Sequence, residues 1–115
     1  MAKVMIARTL KDEIFKKFKQ ESKKIFRQMY SLGDNPHKGK IVGNVGGVVI
    51  KEIKYKSFRF YFITDGYRLK IMNKSDLVDL LIRFVRMSDK KNQQQTINEI
   101  KKILVNFGSD GFEDD

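Results

Sequence analysis

Glu52, Lys54, Arg59 and Tyr61 lie within KEIKYKSFRFYF, Lys51 to Phe62, where bases and aromatics interleave around a single acid. If the chain turns at Tyr55, Lys56 and Ser57, the segment is a hairpin in which Glu52 and Lys54 share a strand face and Arg59 returns opposite them. Metal-free cleavage of RNA asks for a base to take the 2′-hydroxyl proton, cations to hold the charge building on phosphate, and an acid for the leaving oxygen. Glu52 suits the base, Lys54 and Arg59 suit phosphate clamps, and Tyr61 suits a stacking or proton-donating group. Lys56 in the turn adds a further RNA-binding cation. The pattern alone favours the plainer alternative, a cross-strand salt bridge on an exposed sheet.

A second basic point is SDKKNQQQ. With Ser88 capping a closing helix, Lys90 and Lys91 fall in its first turn, where cations oppose the helix dipole and a bound anion would relieve them. A solvated turn is the alternative. Cysteine is absent and His37 is the single histidine, so disulfides, a thiolate metal site, a zinc centre and a Ser-His-Asp triad are not expected. No metal or other cofactor is expected.

These residues need a scaffold, and the pattern of apolar positions supplies one. KVMIA, residues 3–7, reads as a short strand, with Thr9 as the cap of the next helix and Asp12 and Glu13 in its first turn. Helical periodicity runs from Leu10 to about Tyr30, with Phe15, Phe18, Ile25 and Met29 on one stripe and Ser22 marking a bend between two shorter helices. The breakers of SLGDNPHKGK end that region. Val48 to Tyr55 reads as a strand, and SFRFYFI returns with Phe58, Phe60 and Phe62 facing the core. Asp65-Gly66 is a turn pair, yet YRLKIM alternates well enough to continue a strand, and Asn73 to Asp76 is a firmer turn. Leu77 to Met87 fits helix and strand alike. The last helix runs from a Ser88 cap through Phe107, burying Ile97, Ile100, Leu104 and Phe107, and stops at Gly108.

The fold class expected is α+β: a small curved antiparallel sheet of four to five strands, with an N-terminal helix or helical hairpin and a C-terminal helix on one face. Residues 1–108 form the single domain, and 109–115 form an acidic tail, disordered or folded over its own basic face. The 115 residues hold 24 Lys and Arg against 14 Asp and Glu, a formal +10. Four of those acids, Asp110, Glu113, Asp114 and Asp115, close the chain, leaving ten acids against 24 bases over residues 1–109, a balance of +14. Such a surplus attracts polyanions, and a lysine-rich, solvated surface that binds no nucleic acid is the alternative. The apolar runs fall short of the roughly 20 residues that span a bilayer, and the N-terminus lacks the apolar core of a secretory signal, so the expected location is cytoplasmic.

Taken together, NPHKGKIVGNVGGVVIKEIKYKSFRFYFI and FVRMSDKKNQQQTINEIKKIL resemble the RelE/ParE superfamily of type II toxin-antitoxin toxins, in its HigB-like or phage-derived Gp49-like branch. The resemblance covers Asn35 to Leu104 and rests on the order of several short patterns. It implies that Leu77 to Met87 is a strand with Phe84 in the core. It implies a toxin that cuts mRNA, on the ribosome, by metal-independent attack of the 2′-hydroxyl on phosphate. The residues it carries over are Arg59, Lys54 and Lys91, with Lys90 beside Lys91 and Glu52 where other members have a second lysine. The partners implied are mRNA, the ribosome and a cognate helix-turn-helix antitoxin encoded nearby. Ile97 stands where some members place a catalytic tyrosine, which favours the alternative of a non-catalytic member, either a ParE-like gyrase inhibitor or a degenerate toxin acting as a binding module.

Overall fold

Val48–Tyr55 (β3) and Phe58–Asp65 (β4) pair residue for residue, from Tyr55 opposite Phe58 to Val48 opposite Asp65. The Lys56-Ser57 pair between them is a two-residue turn with Lys56 at φ 54°. In this computed structural model, which describes residues 2–71 and 80–112, the hairpin is the centre of a five-stranded sheet. Its strand order is β1-β5-β4-β3-β2, with β1 at Lys3–Ile6, β2 at Lys40–Val45 and β5 at Leu81–Asp89. The sheet is mixed, because β1 runs parallel to β5 while every other pair is antiparallel.

Strand β2, which lies between the helical region and β3, was not among the expected strands. It is joined to β3 by Gly46-Gly47, whose φ values of 56° and 85° are both in the region that two-residue hairpin turns require and glycine enters freely. After β1, helix α1 begins at Arg8, with Ala7 as its cap and no side-chain capping bond. Thr9 is therefore inside the helix. Helix α1 (Arg8–Phe18) and helix α2 (Ser22–Tyr30) are separated by a 3₁₀ turn at Lys19–Glu21. The bend expected at Ser22 is present, and the Ser22 hydroxyl donates to the Ile14 carbonyl at 3.1 Å. Leu10, Ile14, Ile25 and Met29 fill the inner side, whereas Phe15 is half exposed and packs edge-on against Phe26.

YRLKIM departs from expectation. The chain forms a short helix α3 (Gly66–Ile71) instead of continuing the strand. The turn expected at Asn73 to Asp76 and the start of the Leu77 segment lie outside the described residues. The rest of that segment is strand β5, with Phe84 fully buried. Helix α4 (Gln93–Phe107) starts later than expected, after Asn92, with Ser88 still in β5. Gly108 ends it at φ 66°, and Phe107 is exposed.

Helices lie on both faces of the sheet, not on one as expected. Phe60, Phe62, Ile53, Ile82 and Phe84 pack under α1 and α2, while Ile50, Tyr61, Ile63 and Val85 pack with Ile97, Ile100 and Leu104 of α4. Alternation along β4 sends Phe60 and Phe62 to one side and Tyr61 and Ile63 to the other. Helices thus cover both faces, and β3 and β4 are buried almost throughout. A 3₁₀ turn at Ser109–Phe112 extends the second core, where Phe112 is 1% exposed. The packed unit therefore passes residue 108 and includes the first part of the expected tail.

Candidate nucleic-acid interface

The strand register sets the site. Lys40 opposes Glu52, Glu52 opposes Tyr61, and Tyr61 opposes Arg86, making one row across β2, β3, β4 and β5. The next row on the same face, two residues nearer the hairpin turn, is Lys54, Arg59 and Ser88. Lys90 and Lys91 follow immediately, exposed in the turn between β5 and α4 and ahead of the helix's first residue. Residues distant in sequence are thereby gathered at one corner of the sheet.

Sharing the face with α4 changes what the inner residues can do. Tyr61 is 0%, Glu52 4% and Arg59 8% exposed. The Tyr61 phenol lies 2.8 Å from the Ser88 hydroxyl. Burial pushes the phenol pKa up; the Ser88 bond pulls it down, the Glu52 charge raises it further, Arg59 lowers it and Asp89 raises it. These groups form one electrostatic cluster. Tyr61, expected to stack on a base or donate a proton, is instead a core residue with its hydroxyl engaged. Buried atoms Glu52 Oε2 and Arg59 Nε have no hydrogen-bond partner among the described residues, while Arg59 Nη1 donates to the Phe58 carbonyl at 3.4 Å.

The cations divide. Lys54 is exposed and lines a groove of about 380 Å³ together with Glu52, Lys38, Lys40 and Gln28. Lys56 is elsewhere: its ammonium is 2.8 Å from Glu21 Oε1, and Tyr55 donates to Glu21 Oε2 at 3.0 Å. Hydrogen bonds from Lys56 and then Tyr55 hold the Glu21 carboxyl below its ordinary pKa, and the same carboxylate raises Lys56. Lys56 therefore ties the hairpin turn to the 3₁₀ turn between α1 and α2 and does not join the corner formed by Lys54 and Arg59.

Four contributors, Lys38, Lys40, Ser88 and Arg86, were not legible in the sequence. Lys38 and Lys40 sit in a stretch dominated by helix breakers, and Ser88 reads as a cap until its register opposite Arg59 is known. Arg86 reaches Glu99 Oε1 at 3.0 Å and lies 5.4 Å from the Phe112 ring centroid, so it fastens β5 to α4 and to the turn beyond it. Among the described residues there is no group of three or more His, Cys, Asp or Glu side chains placed to hold a metal ion. No described helix is long and apolar enough to cross a membrane.

Comparison with protein-family models, with curated proteins and with solved structures finds no match to this chain.

Proposed function

We propose that the protein is a cytoplasmic toxin of the RelE/ParE kind, an mRNA interferase that cuts ribosome-bound mRNA at the corner formed by β3, β4 and the end of β5. The observation that carries this reading is the shared groove of Glu52 with Lys38, Lys40 and Lys54, with Lys54 directly opposite Arg59. A carboxylate among cations is the pairing that 2′-hydroxyl attack needs. Glu52 accepts the 2′-hydroxyl proton, the 2′-oxygen bonds to phosphorus, and the P–O5′ bond breaks. Arg59 and Lys54 hold the phosphate oxygens, and the Lys54 ammonium protonates the departing 5′-oxygen. Lys90 and Lys91 hold flanking phosphates. Tyr61 acts from beneath, fixing the Ser88 end of the row. The neutralising partner is an antitoxin whose acidic or amphipathic segment covers the basic corner.

Burial of Ile97 and Tyr61 favours a second reading, a non-catalytic member that binds RNA or gyrase without cutting. Primer extension on cellular mRNA after induction separates the two. Discrete cuts that disappear in Lys91→Ala and Arg59→Lys support the interferase. Intact mRNA with DNA damage supports the gyrase reading, and growth arrest that survives both substitutions with RNA intact removes the proposal.

A further inference from the structure

On the α1–α2 face of the sheet, beyond those helices, a second hollow of about 530 Å³ lies between the β2–β3 hairpin and α3. It shares only Gly39 with the groove of Glu52 and Lys54. Its volume is within the range of small-molecule sites, about 300–1,000 Å³. Val49, Ile41 and Leu69 give apolar walls, and Lys51 and Lys70 are the cations.

Lys51 is the unusual feature. It is 2% exposed, its ammonium donates to the His37 carbonyl at 2.9 Å, and it stands 5.8 Å from the Phe62 ring centroid. An ammonium carries three donors, and a buried one is costly unless it meets a counter-charge. None of the described residues lining the hollow is acidic. Burial accordingly lowers the Lys51 pKa. The frame around it is closely packed: Gly66 N–H donates to the Gly47 carbonyl at 2.9 Å, and a Cβ on Gly66 would collide with Val49 Cγ2. A Cβ on Gly39, at φ 103°, would meet the Phe62 ring at 3.1 Å and the Glu52 carbonyl at 3.2 Å. The space is kept by glycines that cannot easily be replaced.

We propose that this hollow is a binding site for a small carboxylate with an apolar body, its charged end on the Lys51 ammonium and its chain against Val49, Ile41 and Leu69. One buried ammonium with free donors matches a monoanion, and apolar walls match the remainder of such a ligand. Lys70, exposed at the rim, favours entry of an anion.

The test is titration of the full chain, labelled with ¹⁵N, with hexanoate, hexanol and inorganic phosphate. Hexanoate is expected to shift the Gly39, Gly47 and Gly66 amides saturably, with hexanol at least about tenfold weaker. Lys51→Met, which replaces a buried ammonium by an apolar chain of similar length, is expected to lose the hexanoate preference, and Lys23→Ala on α2 is expected to keep it. Equal binding of hexanol, no saturable shift by hexanoate, or an equal effect of phosphate on those amides in the unaltered chain would each overturn the proposal. So would a Lys51→Met protein that still prefers hexanoate.

Discussion

Tyr61 shows how one side chain's meaning depends on what lies above it. Between Arg59 and Phe62 it reads as the exposed aromatic of a half-buried strand, yet it is fully buried with its hydroxyl on Ser88. Removing that hydroxyl with Tyr61→Phe leaves Ser88 without its partner and should cost about 1 kcal/mol of stability. It should also simplify the alkaline titration. The folded-state phenol pKa is raised, so its contribution to stability is complete below the unfolded pKa and is lost as pH rises through the folded value. Tyr55, desolvated and bonded to the Glu21 carboxylate, is raised as well, so absorbance at 295 nm should show two late-ionising tyrosines of which Tyr61→Phe lacks one, and an unchanged titration would contradict the buried placement. The roles of Phe58, Phe60 and Phe62 were legible because alternation alone assigns them one face. The burial of Glu52, Arg59 and Tyr61 was not, because period two says which residues share a face and nothing about what covers it.

Glycine and local breaks decide more at the scale of elements than propensity does. The β2–β3 turn uses Gly46 and Gly47 at φ 56° and 85°, and the space at both is open. Gly46→Ala thus isolates backbone strain from crowding and should destabilise by about 1–2 kcal/mol, the cost of a left-handed conformation with a Cβ. A denaturant midpoint unchanged by that substitution would contradict the turn. The Gly-Gly pair was the available signal for β2, but the strand before it, KIVGNV, contains a glycine of its own and reads as loop. A Cβ on Gly43 would meet Lys101 Cε of α4 at 2.8 Å and Ile50 Cδ1 at 3.2 Å, the first being the movable end of a lysine, so packing there does not demand glycine. The Ser22 bend was legible because a small polar residue interrupts an apolar stripe. The segment after Asp65 was misread, because six residues are too few for period two to be told from the start of a helix.

Across the whole molecule, a sheet covered on both faces links the C-terminal turn to the site. Phe112 fills the second core beside α4 and carries Arg86 over its ring, and Arg86 belongs to the same row as Glu52 and Tyr61. Phe112→Ala should cost about 3–5 kcal/mol, measured by chemical denaturation, as large-to-small changes in a packed core do. Ending the chain at Phe107 should cost at least as much. A loss below about 0.5 kcal/mol for either would show that residues 109–112 are not part of the core. Composition indicated only that the end of the chain is acidic, and charge hides an anchor when a single aromatic stands among Asp and Glu.

The proposed action of Glu52, Lys54, Arg59 and Lys91 on RNA draws on the charge of the whole surface as well as on one corner. With +14 over residues 1–109, RNA association should weaken steeply with salt even in a protein that cannot cut, so binding alone does not test that action. The direct measurement is the chemistry of the ends left on ribosome-bound mRNA incubated with the purified protein. A 2′,3′-cyclic phosphate upstream and a 5′-hydroxyl downstream, both lost in Glu52→Gln and reduced about a hundredfold or more in Lys54→Ala, are the predicted result. Intact mRNA, or the same ends at the same rate from both variants, would contradict it.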